Sequence, residues 1–166
     1  MRSNKFFPCV VRLNPADPAA ADSERWYYPV IAIDDDPDDL FFITRRINRA
    51  GVRNPVMTFN DGDDAVRHFT HLCENRLFDA PACVVFCDIK MPHRNGFEVL
   101  RWFRQQEKLA PIRFVMLSGS NEAVDHERAR ELGANQYLVK FPPEQVFADI
   151  IRAADLAVKQ SFSQSR

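Results

Sequence analysis

From residue 30 onward, short apolar runs alternate with longer stretches in which apolar residues recur every three or four positions. The first run, Val30–Ile33, is followed by Asp36-Pro37, an N-cap residue and a first-turn proline that together signal a helix start. After Pro37 apolar residues recur at helical spacing, and Gly51 ends the predicted helix. The alternation repeats four more times. It predicts strands at 30–33, 56–59, 83–87, 112–117 and 136–139, and helices between 36 and 51 and at 63–73, 96–108, 121–132 and 144–158.

Five strands alternating with five helices predict an α/β doubly wound fold with a parallel sheet. The run at 83–87 is apolar throughout, as expected of a central strand that is covered on both faces. Right-handed crossovers leave few possible strand orders. In the order 2-1-3-4-5 the first and third strands are neighbours, and ligands bind beyond the carboxyl ends of such strands.

The chain has 166 residues, 46% of them hydrophobic, which suits one domain with a sizeable core. Residues 1–28 contain a polar, Pro/Ala-rich connector and are predicted to be an N-terminal extension. Residues 29–158 are predicted to form the domain, and residues 159–166 a polar tail. The eight residues after Val158 are too few for a DNA-binding module, so we expect a single-domain protein.

Composition narrows the possible partners. Lys and Arg together number 22 and Asp and Glu 23, giving a net charge of −1, which does not suggest the basic face used to bind nucleic acid. No apolar run approaches the ~18–20 residues that span a membrane. We therefore expect a cytoplasmic protein that binds neither nucleic acid nor membrane.

Acidic residues cluster where the first and third strands end. Asp34, Asp35 and Asp36 follow the first strand, and Asp88 follows the third. Two carboxylates ~4 Å apart repel by ~4 kcal/mol at an effective dielectric constant of ~20. Such repulsion calls for a bound cation or a raised pKa. Ligands that are all oxygen suit Mg²⁺, which also pairs with phosphate.

Two further polar residues follow the neighbouring strands: Ser118 the fourth and Lys140 the fifth. A hydroxyl donor and a positive charge are what the oxygens of a phosphoryl group require. With one carboxylate free to attack, these residues predict a phosphoryl-transfer site built on a carboxylate nucleophile.

At these positions the sequence resembles the receiver domains of two-component response regulators, over roughly residues 29–158. The resemblance rests on four motifs that occur in order at the ends of the predicted strands, and their combination is far more specific than any one of them. They are Ile33-Asp34-Asp35, Asp88-Ile-Lys-Met-Pro92 with Asn95-Gly96, Leu117-Ser118-Gly119, and Gly133-Ala-Asn-Gln-Tyr137-Leu-Val-Lys140.

The resemblance implies a flavodoxin-like receiver fold in which Asp88 accepts phosphate from a histidine kinase. Mg²⁺ would be held by Asp34, Asp35, Asp88 and the carbonyl of Lys90. Asp36 is expected to cap the first helix rather than bind the metal.

The remaining roles implied by the resemblance concern the phosphoryl group. Lys140 would contact its oxygens. Ser118 and Tyr137 would form the switch pair that reports phosphorylation to the face made by helix 4, strand 5 and helix 5. The protein would then be a signalling switch, and not an enzyme beyond its own phosphorylation and dephosphorylation.

One departure from the family lies beside Lys140. Receivers usually have proline directly after this lysine, often through a cis bond, whereas here Phe141 precedes Pro142. A non-proline cis bond costs ~3–4 kcal/mol, so we expect the Lys140–Phe141 bond to be trans. The turn after Lys140 is accordingly expected to differ from that of the family.

Within the family, the helix start Asp36-Pro-Asp-Asp-Leu40 and the long segment between strands 2 and 3 most resemble stand-alone receivers that partner phytochromes or hybrid kinases. Output would pass through contact with a protein target or relay to a phosphotransfer protein, and a homodimer remains open.

Two alternative functions fit parts of the same pattern. A phosphorylation-independent interaction module would keep the fold but not the reaction, although all the site residue types are present. A haloacid-dehalogenase-type phosphatase would use Asp34-x-Asp36, but it would leave the block from Asp88 to Pro92 unexplained.

Overall fold

The computed structural model describes residues 11–12, 26–74 and 82–164. Its central sheet has five parallel strands in the order β2-β1-β3-β4-β5, as predicted. The strands are β1 (Val30–Ile33), β2 (Val56–Phe59), β3 (Val84–Asp88), β4 (Arg113–Ser118) and β5 (Gln136–Val139). The helices are α1 (Pro37–Arg49), α2 (Gly62–Glu74), α3 (Gly96–Gln105), α4 (Ala123–Glu131) and α5 (Glu144–Gln164).

Strand register brings the carboxyl ends of the strands to one edge of the sheet. Ile33 of β1 pairs with Cys87 of β3, one residue before Asp88. Asp88 in turn pairs with Leu117 of β4, and Ser118 pairs with Val139 of β5. The residues that follow β1, β3, β4 and β5 therefore lie side by side, as the strand order predicts.

Two layers of helices cover the sheet. On one face α1 and α5 pack on Val30 and Ala32. On the other face α2, α3 and α4 pack on Ile31 and Ile33. Every residue of β1 and β3 is buried, which explains why these strands are almost continuously apolar in sequence.

Local capping sets where two of the helices begin. The Asp36 side chain accepts a hydrogen bond of 2.9 Å from the backbone N–H of Asp38, so its predicted role as the cap of α1 is confirmed. Asn95 and Glu98 form a capping box at the start of α3. Both helices begin directly beyond strands that carry site residues, so the caps help to fix the loops at the site.

Two predicted helix ends were wrong. Helix α3 ends at Gln105 rather than Lys108, because the chain then turns to bury Leu109 and the Arg104 guanidinium binds the carbonyls of Ala110 and Ile112. Helix α5 continues to Gln164, so most of the predicted polar tail is helical in its backbone. None of the helices in the described part of the chain is long and apolar enough to cross a membrane.

Part of the predicted N-terminal extension is visible. Val11–Arg12 and Trp26–Tyr27 form a two-residue antiparallel ladder just before β1. Residues 1–10 and 13–25, like residues 165–166 of the predicted tail, lie outside the described residues. The division into extension, domain and tail stays a prediction.

The loop after β3 closes tightly beneath Asp88. The backbone N–H of Gly96 donates to the Ile89 carbonyl at 3.0 Å. A Cβ atom at position 96 would lie 2.1 Å from the Asp88 carbonyl oxygen, which is a severe overlap with backbone. Glycine at this position therefore allows α3 to begin against the residue that carries the acceptor carboxylate.

We expect Gly96→Ala to destabilise the protein by ~1–3 kcal/mol, because the backbone of Asp88 must move to admit the methyl group. Urea denaturation would measure the loss. Gly119→Ala is the matched control, since a Cβ atom there meets nothing within 4 Å. Equal free energies of unfolding for the two variants would contradict this account.

Candidate functional site

Four strand ends bring four of the predicted site residues together. Asp34 follows β1, Asp88 ends β3, Ser118 ends β4 and Lys140 follows β5. Asp34, Asp88 and Ser118 are buried, whereas Asp35 is exposed at the rim. The backbone fixes these positions: Asp34 donates its N–H to Phe59 in β2, and Lys140 donates its N–H to Ser118.

The Lys140 ammonium lies at the centre of the group. Its Nζ atom is 2.6 Å from Oδ2 of Asp39, 2.8 Å from Oδ2 of Asp34 and 2.9 Å from Oδ1 of Asp88. Burial alone would lower the pKa of Lys140, but pairing with the three carboxylates outweighs it and raises that pKa above its ordinary value. The lysine is therefore a fixed positive charge next to Asp88.

Asp34 has a buried carboxylate oxygen that lacks a hydrogen bond. Its Oδ1 accepts the backbone N–H of Asp36 at 3.1 Å. Its buried Oδ2 accepts no well-directed hydrogen bond, because the nearby Lys140 ammonium makes an ion pair outside hydrogen-bond geometry. Burial, with a smaller contribution from the charge on Asp88, raises the pKa of Asp34 from 3.8 to about 6.

The carboxylates of Asp34, Asp35 and Asp88 fit a divalent cation. One oxygen from each lies within 4.8 Å of the other two. The buried Asp34 Oδ2 has no hydrogen bond, and a metal ion held by this carboxylate would satisfy it. Hard oxygen ligands at this spacing suit Mg²⁺.

The predicted fourth metal ligand is the backbone carbonyl of Lys90. Lys90 lies in the loop two residues after Asp88, and its exposed ammonium is 4.0 Å from Glu122. The role of its carbonyl stays a prediction.

Sequence analysis missed Asp39, which makes the shortest contact to Lys140. Acidic residues are common in the first turn of a helix, where they favour the helix dipole, so Asp38 and Asp39 gave no functional signal. The position of this helix turn could nevertheless have been inferred. Side chains in a helix point toward its N-terminus, and the Asp36 cap fixes that end of α1 at the edge of the sheet.

The predicted switch pair is linked through one neighbouring residue. The buried Ser118 hydroxyl accepts the backbone N–H of Ser120 at 3.2 Å. The Tyr137 hydroxyl donates to the Ser120 carbonyl at 3.0 Å, and the tyrosine ring lies against His126 with ring centroids 3.7 Å apart. Movement of Ser118 would thus alter the hydrogen bond of Tyr137, because both side chains bind the backbone of Ser120.

The sequence has curated relatives among bacterial regulators. Transcriptional regulatory protein GltR of Pseudomonas aeruginosa is 30% identical over 138 residues, which cover 82% of this chain and 52% of GltR. Protein PilH of the same species is 25% identical over 124 residues, which cover 75% of this chain and 94% of PilH. The chain thus spans about half the length of GltR and most of PilH.

Solved structures share the fold. The bacteriophytochrome response regulator AtBRR is 29% identical, with a TM-score of 0.66, and the match covers 80% of this chain and 94% of AtBRR. Chemotaxis protein CheY4 of Vibrio cholerae is 22% identical, with a TM-score of 0.64, and the match covers 77% of this chain and 98% of CheY4. CheY4 therefore supports the fold alone.

Residues 30–152, most of the chain, match the family of response regulator receiver domains. The family match and the strand order confirm the resemblance seen in the four sequence motifs. The chain belongs to the response regulator receiver domain family.

Proposed function

We propose that this receiver domain accepts a phosphoryl group on Asp88 from a histidine kinase, in a Mg²⁺-dependent reaction. One observation carries the proposal. The Asp88 carboxylate contacts the Lys140 ammonium at 2.9 Å and also belongs to the cluster of three carboxylates that fits a cation. A nucleophile placed between a fixed positive charge and a metal site is what phosphoryl transfer to a carboxylate requires.

In the proposed reaction an Asp88 carboxylate oxygen attacks the phosphorus atom. The new P–O bond forms as the P–N bond to the kinase histidine breaks, and the imidazole leaves. Lys140 stabilises the transferred phosphoryl oxygens by charge and hydrogen bonding. Asp34, Asp35, Asp88 and the Lys90 carbonyl would hold Mg²⁺, which would supply positive charge to those oxygens.

The proposed switch follows from the charge that phosphorylation adds. The Ser118 hydroxyl, which now accepts from Ser120, can turn to donate to a phosphoryl oxygen. If the hydroxyl moves toward the phosphoryl group, its bond with the Ser120 N–H breaks, and Tyr137 would leave the Ser120 carbonyl and rotate inward. The altered face of α4, β5 and α5 would carry the signal.

The proposed partners are a sensor histidine kinase as donor and a protein target or a phosphotransfer protein as recipient, in the cytoplasm. The likeness to a bacteriophytochrome response regulator supports a phytochrome or hybrid kinase as donor. On this proposal the domain is a switch that catalyses only its own phosphorylation and dephosphorylation.

The acceptor is tested by intact-mass measurement after incubation with acetyl phosphate and Mg²⁺. We expect one added phosphoryl group on the wild type and on Asp36→Asn, the control that alters only the α1 cap, and none on Asp88→Asn. Equal labelling of Asp88→Asn would contradict the assignment. An unlabelled wild type would instead favour the phosphorylation-independent module.

The raised pKa of Asp34 predicts a particular dependence of stability on pH. The folded metal-free protein holds this proton more tightly than the unfolded chain. The stabilisation is therefore fully present below the ordinary pKa of 3.8 and is lost as the pH rises through about 6. Above that pH the buried carboxylate is charged, and Mg²⁺ can compensate it.

We therefore expect the melting temperature of the metal-free protein to fall across this pH range more in the wild type than in Asp34→Asn. Mg²⁺ should raise the wild-type melting temperature more at about pH 7.5 than at about pH 5, because protons compete with the metal for the carboxylate. Differential scanning fluorimetry with and without EDTA measures both. If the melting temperatures of the wild type and Asp34→Asn changed with pH in the same way, this role of Asp34 would be ruled out.

The switch is tested by ¹⁹F NMR of protein labelled with fluorotyrosine, with the Tyr137 signal assigned from Tyr137→Phe. Beryllofluoride with Mg²⁺ should shift this signal in the wild type and in Ser118→Thr, which keeps the hydroxyl. In Ser118→Ala beryllofluoride should still bind but the shift should be largely lost, since a charge-assisted hydrogen bond is worth ~1.5–3 kcal/mol. A full shift in Ser118→Ala would show that the signal leaves the site by another route.

A further inference from the structure

One face of α1 contacts three consecutive residues that follow β5. Asp39 accepts a hydrogen bond from Lys140, with 2.6 Å between Oδ2 and Nζ. The Phe42 ring lies edge-on to the Phe141 ring, with centroids 6.0 Å apart. Positions 39, 42 and 46 are three and four residues apart, the spacing that places side chains on one face of a helix, and Arg46 donates to the Pro142 carbonyl at 2.9 Å.

We propose that Asp39, Phe42 and Arg46 form a clamp, here called the α1 clamp, that positions Lys140 for the phosphoryl group on Asp88. The inference rests on the proposed function, because it assigns positioning residues for that reaction. None of the three side chains touches the reacting atoms, so each acts through residues 140–142.

Asp39 differs from the other two carboxylates at Lys140. Asp34 and Asp88 belong to the cluster that fits the metal, and Asp88 is also the acceptor. Both change their electrostatic partners when a cation and a phosphoryl group arrive. Asp39 lies outside that cluster, and its hydrogen bond to Lys140 is the shortest of the three contacts. It can therefore hold the lysine in place throughout the reaction.

The backbone beyond Lys140 needs such support. Phe141 has a φ of 60°, in the left-handed region that residues other than glycine rarely adopt. The Lys140–Phe141 bond is trans, as expected, since no cis bond occurs in the described part of the chain. A residue in this conformation persists only when its surroundings hold it. Phe42 and Arg46 hold the two residues after Lys140. In the family a rigid proline usually follows the lysine directly, whereas in this chain the first proline is Pro142.

The sequence supplies a matched control for the charged members of the clamp. Each has a neighbour of the same type on α1 that points away from the loop. Asp38 and Arg45 are exposed, whereas Asp39 and Arg46 are partly buried. Substituting Asp38 or Arg45 removes the same charge from the same turn of the helix and leaves the contacts with residues 140–142 unchanged.

The experiment uses the full chain with acetyl phosphate and Mg²⁺, and follows phosphorylation by intact mass over time. Asp39→Asn should lower the maximal rate roughly tenfold, the order expected when a charged group loses its placement, and Arg46→Gln should lower it less. Asp38→Asn and Arg45→Gln should match the wild type. The concentration of Mg²⁺ that gives half-maximal rate should not change, because no clamp residue belongs to the carboxylate cluster.

Two further variants separate positioning from stability. Asp39→Glu keeps the carboxylate and should recover part of the rate. The double variant of Asp39→Asn and Arg46→Gln should lose less than the product of the single losses, since both act through one loop. A general loss of structure would instead lower the melting temperature, shift the Mg²⁺ dependence and give no recovery with glutamate.

Three results would overturn the inference. Clamp variants with the rates of their matched neighbours would show that the contacts have no role in positioning. A faster reaction in Asp39→Asn would mean that Asp39 competes with the phosphoryl group for Lys140. A wild type that is not phosphorylated would remove the proposed function itself, and the clamp with it, whereas the first two results leave the proposed function standing.

Discussion

The Lys140 ammonium lies within 3 Å of three carboxylates, and the chemistry of the sheet edge depends on this contact. Carboxylates ~4 Å apart repel by ~4 kcal/mol at an effective dielectric constant of ~20, so the group would be unfavourable without a cation. One lysine cannot neutralise Asp34, Asp39 and Asp88, and Asp35 adds a further negative charge at the rim. The deficit makes a divalent cation favourable. In the metal-free protein burial, more than the neighbouring negative charge, raises the pKa of Asp34.

The sheet makes such an unfavourable cluster possible. β1 and β3 are buried along their whole length and covered by helices on both faces, so their ends cannot move apart to relieve the repulsion. The Gly96 backbone packs against Asp88 from below and fixes the loop on that side. Hydrophobic burial over the rest of the domain thus provides the stability that the charged edge lacks.

Sequence patterns predicted the parts of the fold that local rules determine. β1, β2 and β5 have the bounds that were predicted, because short apolar runs between turn residues determine strands well. Asp34, Asp88, Ser118 and Lys140 could be brought together because each directly follows or ends such a run. Their roles in catalysis and switching stay predictions.

Three of the features that the sequence did not reveal depend on long-range contacts. The end of α3 depends on Arg104 binding carbonyls beyond the helix, and the role of Asp39 depends on a lysine 101 residues away. The departure at Phe141 was seen in the sequence, but its left-handed backbone was not, since the contacts with α1 that hold it are tertiary. Helical spacing alone cannot distinguish Asp39 from Asp38, although only one of them faces the loop.

Two sets of contacts meet at Asp88. In the first, the α1 clamp reaches Lys140 through side chains. In the second, Ser118 and Tyr137 share the backbone of Ser120, and Tyr137 also packs on His126 of α4. A phosphoryl group on Asp88 would contact both Lys140 and Ser118, but the two responses should differ. Lys140 is already paired and held, so it can stabilise the new charge with little movement, whereas the Ser118 hydroxyl must move away from the Ser120 N–H to reach the phosphoryl group. The conformational change should therefore travel toward α4 and β5, and α1 should stay in place as the fixed side of the site.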